Sequence, residues 1–289
     1  MKPAPFEYHQ PRTVAEAVEL LATLDNAKVL SGGQSLMPML NMRFVVCDHI
    51  IDLNGIDELA YLREEDDELR IGALTRQRDI ELSPIVRKRL PVLAEALRVT
   101  GHTQTRNRGT FAGSLCHLDP AAEQPAVALL CDAKVVATSR RGKRTIPMAE
   151  FLVSYMTTRL DPDEIVTEIC LPLWPKRHGA AFLEFARRHG DFAMASAAVM
   201  ITADAAGMIE RCAITIGGVG AVPIRLKPAE DSLRGKPMDD THFAKAAEAC
   251  ADIDAMDDVH APGSYRRQLA RVLTARALRQ AADHLMNRS

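Results

Sequence analysis

Apolar residues recur at helical spacing after Thr13: Ala17, Val18, Leu20, Leu21 and Leu24 share one face, and Thr13-Val14-Ala15-Glu16 forms a capping box ahead of them. The short apolar run Lys28-Val29-Leu30 predicts a strand that enters Ser31-Gly32-Gly33-Gln34-Ser35, with a short helix over Leu36 to Met42. Three runs of β character follow, His49–Leu53, Leu59–Arg63 and Leu69–Ala73. The acidic stretch Glu64–Glu68 is predicted as the hairpin turn between the last two. Helical patterns return over Arg76–Leu82 and Val92–Val99. A glycine-rich loop at 109–113 comes next, and then an apolar helix over Ala121–Leu130 behind Pro120, a residue suited to a helix start.

Lys134–Thr138 and Arg144–Ile146 predict a hairpin around the basic turn Arg140-Arg141-Gly142-Lys143, which is most simply a solvated turn, docking to a partner being the lesser reading. Periodicity breaks at Leu173-Trp174-Pro175-Lys176-Arg177-His178-Gly179, and we place a domain boundary at 176/177. Beyond it lie strand-like runs at Phe182–Phe185, Ala195–Thr202 and Met208–Ile216, the last two joined by the turn Asp204–Gly207. Helical patterns over Thr241–Ala251 and Tyr265–Met286 close the chain. Strands and helices fall in mixed runs, which is an α+β order rather than strict alternation.

Composition narrows the class. With 289 residues and 47% apolar content, the chain can build two cores; 26% charged residues is ordinary for a globular protein. A net charge of −2 and 4% aromatic residues give neither a basic field nor stacking platforms for nucleic acid. No apolar run approaches the roughly 18 residues of a membrane span, and the N-terminus lacks a signal-peptide core, so a cytoplasmic protein without an integral membrane segment is expected. The six cysteines, at 47, 116, 131, 170, 212 and 250, form no CxxC pair. They are expected to be reduced, and no metal is expected on this chain.

Two segments can carry chemistry. In Ser31-Gly32-Gly33-Gln34-Ser35, adjacent glycines let the backbone turn and leave successive N–H groups free to face an anion, while Ser35 adds a hydroxyl. A diphosphate fits such a concavity; taken alone, so does an ordinary tight turn. The second segment is Arg106-Asn107-Arg108-Gly109-Thr110-Phe111-Ala112-Gly113-Ser114, with small residues and hydroxyls. After it come Asp119 and Glu123, suited either to ribose or ribityl hydroxyls or to stabilising a helix N-terminus. Neither segment matches GxGxxG or carries a Walker lysine. Gly217-Gly218-Val219-Gly220 reads as a structural turn. His102, His117 and His189 are not spaced as metal ligands, and no catalytic nucleophile or general base is assigned.

Ser31 to Pro38 resembles the first FAD-binding loop of the medium subunits of carbon monoxide dehydrogenase and related molybdenum hydroxylases, the FAD-binding subunit of xanthine dehydrogenase among them. Arg106 to Ser114 is similar to that family's second loop. Phe6-Glu7-Tyr8-His9-Gln10-Pro11 is similar to its opening, and Arg187-Arg188-His189-Gly190-Asp191-Phe192-Ala193 to the start of its C-terminal domain. The resemblance runs the length of the chain in the same order.

It implies a vanillyl-alcohol-oxidase (PCMH)-type FAD-binding domain over 1–176, with subdomains at about 1–55 and 56–176. A C-terminal α+β domain of the CO dehydrogenase flavoprotein type would cover 177–289. The cofactor-binding residues it implies begin with Lys28, Val29, Leu30, Ser31, Gly32, Gly33, Gln34, Ser35 and Leu36. Thr105, Gly109, Thr110, Ala112, Gly113, Ser114, His117, Asp119 and Glu123 follow, with Arg188 and Phe192 near the isoalloxazine. Three positions depart from the family pattern: Ala112 replaces a glycine, Phe192 a tyrosine, and Arg188 a lysine, which exchanges a point charge for a planar fork. The resemblance further implies an electron-transfer role beside a large molybdopterin-binding subunit and a small subunit with 2Fe-2S clusters, in a dimer of heterotrimers. An additional iron–sulfur cluster, as in the aryl-CoA reductase flavin subunits, would need a cysteine-rich insertion that this sequence lacks. A self-contained flavoprotein oxidase or dehydrogenase of the same superfold is the alternative, and a flavin-free scaffold protein a more distant one.

Overall fold

The computed structural model describes residues 1–287. The chain opens with three parallel strands, β1 (Glu7–His9), β2 (Ala27–Leu30) and β3 (His49–Asp52), in the order β1-β3-β2. Helix α1 (Val14–Thr23) connects the first two, and α2 (Leu36–Asn41) follows the second. The Thr13 hydroxyl accepts from the Glu16 N–H at 3.1 Å, as the capping box predicts. The Glu16 carboxylate reaches one residue further back, to the Arg12 N–H at 2.7 Å. Parallel sheets are covered on both faces, and β3 shows why it needs adjacent apolar residues. Ile51 packs with Ala17 and Val18 beneath α1, whereas Ile50 packs with Leu40 and Cys47 on the other side.

The second sheet has five antiparallel strands: β4 (Leu62–Glu65), β5 (Glu68–Gly72), β6 (Lys134–Ser139), β7 (Gly142–Pro147) and β10 (Ile165–Pro172), in the order β4-β5-β10-β6-β7. Between β5 and β6 run α3 (Gln77–Leu82), α4 (Pro84–Arg89), α5 (Pro91–Val99), α6 (Thr103–Arg108), α7 (Phe111–His117) and α8 (Glu123–Leu130). A short helix α9 (Met148–Phe151) and a small hairpin, β8 (Leu152–Ser154) with β9 (Thr157–Thr158), precede β10. The third sheet is antiparallel, β11 (Gly179–Phe185), β12 (Ala195–Ala203), β13 (Ile209–Gly217) and β14 (Ile224–Arg225) in sequence order, followed by α10 (Lys227–Leu233), α11 (Asp240–Ala247) and α12 (Gly263–Met286). Helix α12 lies along β11 and β12. Gly179 lets it approach, because a Cβ there would sit 1.8 Å from the Ala281 carbonyl oxygen.

Several expectations change. The strand predicted over Leu59–Arg63 is shifted: Asp57–Leu59 is a 3₁₀ turn and the strand runs over Leu62–Glu65. Of the acidic stretch only Asp66 and Asp67 form the turn, both with positive φ (51° and 57°), as a tight hairpin turn requires; the flanking glutamates belong to the strands. The glycine-rich loop at 109–113 shrinks to Gly109 and Thr110, because Thr110 caps α7 through the Gly113 N–H at 3.1 Å. Helix α8 starts at Glu123, leaving Pro120 and Ala121 outside it, and the helix expected to reach Ala251 ends at Ala247 in a 3₁₀ turn. The central strand β10 had no sequence prediction. Gly217–Gly220 is a turn: Gly218 has φ 75°, and Arg266, 4% exposed, donates to its carbonyl at 2.6 Å.

The cores are not separate. Ala180, Phe182, Ala198, Met200 and Ala213 of the third sheet share one apolar cluster with Val92, Leu93, Val127 and Leu130 of α5 and α8, and with Ile71, Val135 and Ile169 of the second sheet.

Candidate functional site

The two glycine-bearing segments, about 75 residues apart in sequence, meet backbone to backbone. Gly32 is buried against the second segment: a Cβ on it would lie 2.5 Å from the Arg108 carbonyl oxygen, 2.7 Å from the Gly109 Cα and 3.0 Å from the Thr110 nitrogen. Only a residue without a side chain fits there. Gly33 adopts φ 72°, the left-handed region that turns β2 into α2. The Ser31 and Thr110 hydroxyls meet at 2.8 Å, so each segment contributes one hydroxyl to a shared wall.

The junction is held by residues that the sequence did not suggest. Asn54, just after β3, donates from Nδ2 to the Ser31 carbonyl at 2.9 Å. Arg76 donates to Asn54 Oδ1 at 2.5 Å and to the Arg108 carbonyl at 2.6 Å, tying the first segment to the second. Burial, and then Arg108 nearby, hold its guanidinium below the usual arginine range. Gln77 N–H donates to the Gly109 carbonyl at 2.8 Å. Arg106 turns away from the junction and pairs with Glu81 at 2.9 Å while donating to the Thr100 and Gly101 carbonyls.

Around the junction lies a cavity of about 620 Å³. Of the residues that the resemblance assigns to the cofactor, Lys28 and Val29, Ser31 through Leu36, Thr105, Gly109, Thr110, Ala112 through Ser114, His117, Asp119, Glu123 and Phe192 line it. Two candidates do not. The Leu30 side chain packs beneath Gly33, 3.2 Å from where a Cβ would be, within the Leu40–Ile50 cluster. Arg188 is exposed on the bend that also carries Asp191, outside the cavity lining. Phe192 stands at the cavity with 70% of its surface exposed, an apolar ring presented to solvent.

The lining is mainly apolar, with a few polar groups placed to orient a ligand. Buried Gln77 Oε1 and both amide atoms of the fully buried Gln124 have no hydrogen-bond partner, although both residues face the cavity. A buried polar atom left unpaired costs about 1–3 kcal/mol, so such a lining favours a ligand or solvent that completes it. Glu123 is 5% exposed, and burial pushes its carboxyl up to about 7; it can therefore donate as well as accept. Asp119 accepts from the Ala121 N–H at 2.9 Å and shapes the turn into α8. Burial holds His117 below its ordinary range, which keeps the imidazole neutral at neutral pH. The six cysteines are free.

Residues 4–174 match the family described as the FAD binding domain in molybdopterin dehydrogenase, and residues 180–281 match the CO dehydrogenase flavoprotein C-terminal domain. The chain belongs to the molybdenum hydroxylase flavoprotein family. Among the relatives of this flavoprotein is the 6-hydroxypseudooxynicotine dehydrogenase complex subunit alpha of Paenarthrobacter nicotinovorans, 41% identical over 97% of this chain and 96% of the relative. Another is the carbon monoxide dehydrogenase medium chain of Hydrogenophaga pseudoflava, 36% identical over 97% and 98%. Among solved structures, carbon monoxide dehydrogenase from Hydrogenophaga pseudoflava superposes with a TM-score of 0.95 at 37% identity, covering 98% of this chain and 99% of that one. Quinoline 2-oxidoreductase from Pseudomonas putida 86 gives the same TM-score at 31% identity, covering 99% and 100%. The flavoprotein is thus an FAD-binding medium subunit of an oxidoreductase, and no described helix is long and apolar enough to cross a membrane.

Proposed function

We propose that this chain carries electrons from iron–sulfur clusters of a small 2Fe-2S partner, through FAD, to an external acceptor. The substrate would be oxidised at a molybdenum–pterin centre on a large partner. The observation that carries the reading is the contact of two glycine segments, through Gly32, at the wall of a cavity with an apolar surface and a few convergent polar groups. Ser31 to Ser35 would hold the FAD diphosphate with backbone N–H groups, and Thr110 to Ser114 would close the wall beside them with small residues and the paired hydroxyls. Asp119 and Glu123 would take hydroxyls of the ribose or ribityl chain, Glu123 as donor or acceptor according to its protonation. Phe192 would set an apolar ring beside the flavin, whereas Arg188 could act only through its field. FAD, when bound, takes up electrons singly and gives them up singly or in pairs; the protein's share is to bind, orient and tune it.

We divide the chain accordingly into an FAD-binding part, 1–176, and a C-terminal part, 177–289, within a cytoplasmic dimer of heterotrimers. No nucleophile–base pair is needed here, because the substrate chemistry belongs to the partner. The test is purification of the native assembly with mass identification of its components, alongside FAD titration of the flavin-free chain. One FAD per chain with a large pterin-bearing and a small cysteine-rich partner is the expected result. A yellow chain recovered alone would point to a self-contained flavoenzyme, and failure to bind FAD would overturn both readings.

A further inference from the structure

Away from the cavity, β1 and β3 bring together three side chains with the chemistry of metal ligands. Glu7 and His9 lie two residues apart on one strand and therefore on one face; the parallel register pairs Glu7 with His49 and His9 with Ile51. His49 thus falls on that same face, while Tyr8 points to the other, where its hydroxyl meets Asp52. His9 Nε2 and His49 Nδ1 are 3.1 Å apart, and Glu7 Oε2 lies 3.6 Å from His49 Nδ1. One ligand atom from each residue falls within 4.8 Å of both others, the one such group among the described residues.

We propose that Glu7, His9 and His49 form a divalent-metal site, best suited to Zn²⁺, that clips the edge strand β1 onto the central strand β3. Two nitrogens bound tetrahedrally to one zinc at about 2.0–2.1 Å lie roughly 3.3 Å apart, close to the separation already present. The Glu7 side chain, 75% exposed, has room to close the remaining gap. Two imidazoles and one carboxylate match a borderline-soft ion, and a fourth position stays open to water. None of the three residues lines the cavity, so the site is separate from cofactor binding. Its position indicates the role. β1 is three residues long at the sheet edge, with few ladder bonds of its own, and a metal bound across β1 and β3 would lock its register. Because His49 lies forty positions from His9, no local spacing betrays the set.

The test is titration of the full-length, chelator-treated chain with zinc chloride, followed by a competing chromophoric chelator, with hydrogen exchange at β1 as second readout. One equivalent should bind and slow exchange of the Glu7 and His9 amides, which face β3. His9→Gln and His49→Gln should each weaken binding by more than the ~10–100-fold lost when a group that merely hydrogen-bonds to a ligand is removed. Unchanged FAD uptake in both variants would show that they fold. The proposal is overturned if no stoichiometric binding occurs, or if the chain carrying both His9→Gln and His49→Gln binds zinc as the unaltered chain does. In the first case the contact is only a hydrogen-bonded pair of imidazoles; in the second the metal sits elsewhere.

Discussion

Gly32→Ala is the sharpest test of the loop junction. The added methyl would fall 2.5 Å from the Arg108 oxygen and 2.7 Å from the Gly109 Cα, both backbone atoms that no rotamer change can move. An ordinary carbon–oxygen contact is about 3.5 Å, so the segments must part by roughly an ångström. That movement is resisted by Arg76 on the Arg108 carbonyl at 2.6 Å and by the Gln77 N–H on the Gly109 carbonyl at 2.8 Å. Overpacking of this kind costs about 1–3 kcal/mol. The loss of chain entropy in the unfolded state returns at most ~1 kcal/mol of that. If the closed junction is what binds the diphosphate, FAD affinity should fall about 5- to 100-fold, at ~1.4 kcal/mol per decade. Quenching of flavin fluorescence on titration into the flavin-free chain reads this directly, and a melting curve without flavin reads the cost to the fold. Affinity and melting both within about twofold and one degree of the unaltered chain would mean that the two segments do not touch.

Gly33→Asp places a Cβ at a position with φ 72°, 3.2 Å from the Leu30 side chain and 3.3 Å from that of Met37, so flavin retention should be abolished and the Leu40–Ile50 cluster loosened, which lowers the melting temperature; full flavin content would show the phosphate site to be misplaced. Arg76→Ala removes the donor that joins Asn54 to the Arg108 carbonyl, and should lower FAD affinity roughly tenfold, less for Arg76→Lys; no change would relegate the latch to surface chemistry. Glu184 of β11 is pushed from 4.5 to about 8 by burial and then by Glu123. The folded protein therefore holds this proton more tightly than the unfolded chain, and the associated stability, complete below pH 4.5, is lost as pH rises through 8. With an allowance for solvent reaching the half-buried group, the loss is on the order of 2 kcal/mol, and urea melts of Glu184→Gln should be flatter between pH 5 and pH 8 by that amount. Parallel curves would mean that Glu184 is ionised in the fold.

What could be read from the sequence was local. β2, Gly32-Gly33 and α2 follow one another without a break, and the strand–turn–helix pattern is visible in the short stretch Ala27–Asn41. The second segment was found by its small residues, yet its helix was not, because Ala112 and Gly113 look like loop while Thr110 caps them from one residue outside. Asn54 and Arg76 left no trace, since each acts across 22 or more positions through a single side chain with no motif around it. Gln124 was hidden inside an apolar run that reads as plain core. β10 was missed because it is buried on both faces, so its sequence IVTEICLP does not alternate. Arg188 was placed by resemblance alone, and the bend at 187–191 puts it outside the cavity.

Helix α8 has one end at the cavity and its flank against the third sheet, since Gly217 on β13 leaves space for Ala126 at 3.4 Å from a would-be Cβ. The helix is therefore a party wall, shared by the cavity and the C-terminal part. A truncation after residue 176 would strip that wall of Phe182, Ala198, Met200 and Ala213, leaving oily helices facing water. Such a fragment should clump rather than float free as a miniature flavoprotein. Anything that pushed on the C-terminal sheet would be felt at Glu123 and Gln124, by a lever only one helix long.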